Sequence, residues 1–223
     1  MSVVAAIKKD GVIYMGSDSQ VTKGGTRTTL SNPNNYKIWK VSGTDNCVMG
    51  GVGTLRDMNI IRTAYGLVSE MADIKNSVDF SYVVRSLVPE MMKELGKYEV
   101  LVKDSDGIKQ MDSEYLFAYH DKLFSIGNYG SVIEVDDFCA IGSGASEAIG
   151  SLLSTVDVKD PVKRILDAIK SSAAHDIYVD YPIVITDTES TDFKVFYEND
   201  VGASSKTAKK NNKKGSSKDE HDV

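Results

Sequence analysis

Apolar residues along this chain switch between two periods, and the switches divide it into alternating blocks of strands and helices. Val3 to Ile7 is a short run of β-branched and small apolar residues, followed by Lys8-Lys9-Asp10-Gly11, a turn signal, and a second strand from Val12 to Gly16. Residues 2–18 therefore read as a hairpin. A polar stretch rich in Thr, Gly and Asn runs from Ser19 to Asn35, then strands follow at Tyr36 to Val41 and Asn46 to Val52. The period then becomes helical: Ile60, Ile61, Ala64, Leu67, Val68 and Met71 form one set, and Phe80, Val83, Val84, Leu87, Val88, Met91 and Leu95 a second. Pro89 lies inside the second set and predicts a kink or an early end. The charged stretch 98–112 reads as a loop.

Strands return at Tyr115 to Tyr119, Leu123 to Ile126, Ser131 to Val135 and Phe138 to Ile141. Two further helices follow, one on Ala145, Ala148, Ile149, Leu152 and Leu153. The other opens at Asp160-Pro161, a cap followed by proline at the first helical position, and continues through Val162, Ile165, Leu166 and Ile169. Ile183 to Ile185 and Phe193 to Tyr197 close the pattern. Strand blocks separated by helix pairs suit antiparallel sheets with helices stacked outside, not a βαβ repeat. Residues 203–223 differ in kind, with six lysines among Ser, Asn, Gly and Asp and almost nothing apolar. Such a segment buries too little surface to offset its ordering entropy and is expected to be disordered, which leaves one domain over 1–202.

Composition narrows the function classes. The 223 residues are 41% hydrophobic and 26% charged, with a net charge of −6. The acidic balance argues against nucleic acid. No apolar run approaches the ~20 residues needed to span a bilayer. The start lacks the order of a signal peptide, and a cytoplasmic protein is expected. Cys47 and Cys139 sit singly in apolar runs, as buried small hydrophobes do. The three histidines, His120, His175 and His221, are too scattered for a zinc site.

The candidate chemistry starts at the first strand. Ser2 follows Met1 directly, and removal of Met1 would place a hydroxyl and a free α-amine on one residue. An α-amine titrates near about 7.7–8.0, so it is partly neutral at working pH and can act as base for its own hydroxyl. Met-Ser is also a common start with no role. Asp18, in Gly16-Ser17-Asp18-Ser19-Gln20, lies at the open end of the hairpin near residue 2. Taken singly it is a turn cap, and Lys37, which opens the third strand, is a surface charge. Taken with Ser2 they make a nucleophile, a cation and a carboxylate that keeps the cation charged.

These segments resemble the proteasome β-type and HslV branch of the N-terminal nucleophile hydrolases. The resemblance rests on Ser2 to Gln20, on Met49-Gly50-Gly51-Val52-Gly53-Thr54-Leu55-Arg56-Asp57, and on Leu123 to Glu134 with the Gly142-Ser143-Gly144 turn. Ala174 to Val179 adds a further match, and the whole covers roughly residues 2–200. It implies an α+β fold, a four-layer αββα sandwich of two antiparallel sheets between helix pairs. It implies Ser2 in the place of the nucleophilic threonine, Asp18 and Lys37 as its charged partners, and Gly53 as donor to the oxyanion. Ser143 would bond near the nucleophile's amine, and Asp176 would match the aspartate after the fourth helix. Thr22 and Gly24 would contact an extended peptide paired with the backbone of 18–24. The family's monovalent cation site, Na in kind, would fall on the backbone of His175, Tyr178 and Tyr181; no cofactor is required.

The expected activity is peptide-bond hydrolysis inside a ring-shaped compartment. The expected partners are further copies of the chain in stacked hexameric or heptameric rings, an HslU-like ATPase, and unfolded polypeptide as substrate. Serine in place of threonine, a longer Leu30 to Asn35 stretch, the 98–112 loop and the lysine-rich end depart from the family. Two other readings stay open: a weak or inactive ring-forming scaffold of the same fold, and a small-molecule amidase of the wider superfamily.

Overall fold

The computed structural model describes residues 2–68 and 78–203. Met1, Met71 and the lysine-rich segment beyond 203 lie outside the described residues. Strands and helices are numbered in chain order. The hairpin of β1 (Val3–Lys9) and β2 (Val12–Ser17) forms as expected, with Val4 opposite Ser17 and Lys9 opposite Val12. The stretch from Ser19 to Asn35 is more ordered than its polarity predicts: β3 (Gln20–Lys23) and β4 (Thr26–Thr29) make a second hairpin, and Pro33–Asn35 a 3₁₀ turn. This hairpin turns on Gly24-Gly25 and carries threonines on exposed β4, so no apolar alternation announces it.

β5 (Ile38–Lys40) and β6 (Cys47–Gly53) follow, then α1 (Leu55–Thr63). α1 starts earlier and stops sooner than the apolar spacing predicts. Leu67 and Val68 are buried, but from the turn after the helix. α2 runs unbroken through Phe80–Tyr82, Val83–Leu87 and Val88–Lys97. Pro89 neither ends it nor needs a break. The segment Val83–Leu87 is a π-turn in which Val88 N–H reaches back five residues to Val83 O, and this wider turn carries the ladder past the imino acid with no N–H. Within 98–112, expected as loop, β7 (Val102–Lys103) and β8 (Lys109–Gln110) form a short ribbon.

β9 (Ser113–Tyr119), β10 (Lys122–Ile126), β11 (Val132–Val135) and β12 (Phe138–Gly142) lead to α3 (Ala145–Ser154) and α4 (Pro161–His175). Asp160 caps α4 through Val162 N–H and Lys163 N–H, as the Asp-Pro signal predicts. β13 (Ile183–Asp187), β14 (Lys194–Phe196) and α5 (Glu198–Ala203) complete the chain.

Two five-stranded antiparallel sheets result, ordered β12-β1-β2-β13-β14 and β11-β10-β9-β6-β5. Their facing surfaces pack Val4, Ala6, Ile13 and Met15 against Val48, Val52, Leu116 and Leu123. α3 and α4 cover the outer face of the first sheet, where Val3, Ala5 and Ile7 meet Ala148, Leu152, Ile165 and Ile169. α1 and α2 cover the second, burying Met58, Ile61, Leu87 and Met91 against Met49, Phe117 and Phe124. The architecture is the expected αββα sandwich. Because β1 is covered on both faces, its sequence is a continuous apolar run rather than an alternating one.

The helix layer sits unusually close at one point. A Cβ on Gly16 of β2 would stand 2.5 Å from Ile165 Cγ2 and 3.1 Å from Ile169 Cδ1. Gly16→Val is expected to overpack this contact and cost about 1–3 kcal/mol, read as a lower urea midpoint with the same m-value.

Candidate active site

The open end of the β1–β2 hairpin is closed by Asp18. Asp18 N–H donates to Val3 O at 3.3 Å, and Val3 N–H donates to Asp18 Oδ1 at 3.0 Å. Oδ2 accepts Gln20 N–H at 3.0 Å. Lys37 Nζ lies 2.8 Å from each carboxylate oxygen and donates to Gln20 O at 2.5 Å. Asp18 is 0% and Lys37 1% exposed. Two ions taken this far out of water hold only because each satisfies the other and backbone groups take the remaining bonds. Burial still outweighs Asp18 at Lys37 and lowers its pKa below the usual 10.5; Asp18 first, then the more distant charge of Asp176, pulls the other way.

The backbone around Ser2 is fixed from the other side. Ser2 N–H donates to Ser143 Oγ at 3.1 Å, Gly144 N–H donates to Ser2 O at 3.3 Å, and Ser143 Oγ stands 3.4 Å from Ser2 O. Ser143 is placed by the β1–β12 pairing, in which Val3 opposes Gly142. Asp176 caps the end of α4 and accepts Tyr178 N–H through Oδ1 at 2.8 Å. Its Oδ2 is buried with no hydrogen-bond partner among the described residues. Gln20 ties this loop to β3: its Nε2 donates to Ile177 O and to Thr22 Oγ1, both at 2.9 Å.

Gly53 ends β6. Gly51 N–H donates toward β5, to Lys37 O at 2.9 Å, and Thr54 N–H donates the opposite way, to Asp112 O at 3.2 Å. Successive amides in a strand alternate sides, so Gly53 N–H points with that of Gly51, on the edge where β5 gives way to the Pro33–Asn35 turn. Gly53 has φ of 120°, and a Cβ there would come within 2.4 Å of Asp112 O. Only glycine fits. Ser2, Gln20, Thr22, Lys37, Gly53 and Met58 together line a cavity of about 530 Å³. A second recess of about 320 Å³, lined by Asp112, Ser113, Glu114, Asn128 and Ser143, adjoins Gly53 on its far side.

The structure thus brings Ser2, Asp18, Lys37, Gly53 and Thr22 to one cavity or its wall, with Ser143 at the Ser2 amide and Asp176 in electrostatic reach of Lys37. Gly24 lies beyond, in the β3–β4 turn, outside the cavity lining. Among the described residues no cluster of three His, Cys, Asp or Glu side chains could hold a metal. Cys47 and Cys139 are not thiolate candidates: burial pushes the first far up and the second to about 12. Nothing in the sequence marks Gln20, Asp57 or Ser113 for a role. Gln20 is one more polar residue in a polar stretch, and Asp57 and Ser113 meet only across 56 residues of chain.

The family model described as Proteasome subunit matches residues 1–186. The chain belongs to the proteasome subunit family. A proteasome subunit beta of Nanoarchaeum equitans is 25% identical over 209 residues, which span 89% of this chain and 98% of that one. Among solved structures, Thiobacillus denitrificans BPH in complex with Epoxomicin superposes with a TM-score of 0.64 at 18% identity, over 85% of this chain and 100% of that one. Eukaryotic HslV from Trypanosoma brucei gives 0.60 at 20% identity, over 83% and 98%. A Gly-1 mutant of Anbu from Hyphomicrobium gives 0.59 at 15% identity with full coverage of both chains. At these identities the structural likeness speaks for the proteasome-type fold.

The buried pair is a source of stability only while both members are present. Asp18→Asn should cost about 3–5 kcal/mol, because it strands the Lys37 cation without water. Adding Lys37→Met to that variant should restore part of the loss in urea unfolding. The sign for pH follows from the lowered Lys37 pKa: between it and 10.5 the unfolded chain holds a proton that the folded one has released. In this window the Lys37 contribution makes stability rise with pH.

Proposed function

We propose that this proteasome-family chain is an N-terminal nucleophile peptidase in which Ser2, exposed by removal of Met1, attacks peptide bonds. The observation that carries the reading is the Lys37 ammonium, buried on Asp18 and lining the same cavity as Ser2. A cation in a site poor in water favours the developing alkoxide of Ser2 Oγ. The α-amine of Ser2 takes the hydroxyl proton, and Gly53 N–H receives the oxyanion of the tetrahedral intermediate. The same amine then delivers the proton to the departing amine. Water completes the cycle by cleaving the Ser2 ester. Ser143 and Asp176 favour the α-amine's position and charge balance.

β3 pairs with β4 on one edge, and its residues Gln20 to Lys23 line the cavity on the way to Ser2. An extended peptide added to this strand would be read mainly through its backbone, with Thr22 and Gly24 at the contact positions. This suits unfolded polypeptide. Assembly into stacked rings, hexameric or heptameric, and feeding by an HslU-like ATPase in the cytoplasm complete the proposal. A monovalent cation on the carbonyls of His175, Tyr178 and Tyr181 would fit the loop that carries the unpartnered Asp176 oxygen, and would supply a fixed positive charge there.

Intact-mass measurement tests the reading. The mature protein is expected to lack Met1 and to gain one peptide epoxyketone per subunit, since this warhead reacts with a hydroxyl and an α-amine on one residue. Ser2→Ala should abolish labelling and lower kcat by on the order of 10⁴ or more. Retained Met1, or no adduct, would instead mark an inactive scaffold of the same fold. Ser2→Thr should raise kcat severalfold, because the added methyl restricts χ1.

A further inference from the structure

α1 begins with Thr54 as cap and carries Asp57 three residues later. In an ordinary capping arrangement such an acid bonds back to the N–H of the cap residue itself. Here that bond is interrupted by a hydroxyl from another strand. Thr54 N–H donates to Ser113 Oγ at 3.1 Å, and Ser113 Oγ donates to Asp57 Oδ2 at 3.3 Å. The same Oδ2 accepts Asp112 N–H at 3.2 Å, and Asp112 O accepts Thr54 N–H at 3.2 Å. Asp57 is 1% and Ser113 3% exposed. Among the described residues no cation hydrogen-bonds to Asp57, but it lies in the first turn of α1, where the helix dipole favours a carboxylate.

The relay is centred on Gly53. Ser113 is the residue opposite Gly53 in the β6–β9 pairing, and Thr54 is its neighbour in the chain. A simple cap would hold α1 equally well without fixing β9. The relay fixes β9 as well, at the residue across from the glycine.

We propose that Asp57, acting through Ser113, is the positioning residue that holds Gly53 N–H at the oxyanion. The inference rests on the peptidase reading above. It assigns the pair to the transition state rather than to the Thr22 side of the cleft: neither side chain lines the cavity shared by Ser2 and Thr22, and Ser113 borders only the recess on the far side of Gly53. Loosening the clamp displaces one donor from the place where charge develops, and a displacement of about 1 Å is worth roughly 100-fold in rate.

Asp57→Asn and Ser113→Ala, made in the full chain, test the role. Both are expected to lower kcat roughly 10- to 100-fold with KM within about twofold of wild type. Both should weaken a peptide aldehyde, which presents an oxyanion once added to Ser2, far more than the matching peptide alcohol. Exchange of the Thr54 amide with deuterium should speed up in both. Equal losses of aldehyde and alcohol affinity, or kcat unchanged in Ser113→Ala, would overturn the inference and leave the peptidase reading standing. A wild-type protein that is neither labelled by epoxyketone nor able to cleave peptide removes both. Should Asp57→Asn fail to fold, Ser113→Ala alone decides, because it deletes the relay and leaves the Asp57 bond to Asp112 N–H in place.

Discussion

Everything near Ser2 depends on one ion pair that water does not reach. The Lys37 ammonium is enclosed by Asp18 and Gln20 O, and Asp18 spends its remaining capacity on the amides of Val3 and Gln20. Three pieces of chain therefore converge on two side chains: the first residues of β1, the start of β3, and the entry to β5. Desolvation penalises each charge separately, so the pair is stable only in this one geometry. The same low-dielectric setting leaves the field of the cation little screened by solvent in the cavity it shares with Ser2.

Around this pair the sandwich acts as a positioning device. The β1–β2 hairpin sets Asp18 beside Val3, the β1–β12 pairing sets Ser143 beside Ser2, and the β6–β9 pairing sets Gly53 against Ser113. Asp18 and Ser143 each sit one residue past the end of a paired strand, so a backbone register fixes where their turns begin. A one-residue slip in any of these pairings would exchange the two faces of a strand, which the buried layers on both sides forbid. The first sheet presents Ser2 and the second presents Gly53, so the cavity lies where the edges of both layers meet.

Much of this was legible in the sequence, because local signals agreed with the global pattern. The Asp-Gly turn, the Asp-Pro cap of α4 and the runs at Val3, Tyr115 and Ile183 each act over a few residues. What escaped was set by distant partners. α1 begins where Thr54 meets β9, not where the apolar spacing begins, and the β3–β4 hairpin is held by Leu30 N–H on Ser19 O and by Gln20 against Ile177. Pro89 misled for a related reason: a π-turn ahead of it leaves the helix intact. The partnership of Ser2, Asp18 and Lys37 could be suspected from the resemblance, whereas Gln20, Asp57 and Ser113 become visible only when strands far apart in the chain are laid side by side.

Chain ends are usually the most mobile part of a domain. Here the first described residues enter β1, a strand with a neighbour on each edge and an apolar layer on each face. Such an element opens only when the whole domain does. The Ser2 end of β1 consequently has no soft local equilibrium of its own. Whatever meets Ser2 would have to arrive through the cavity, not through local melting of the strand that carries it.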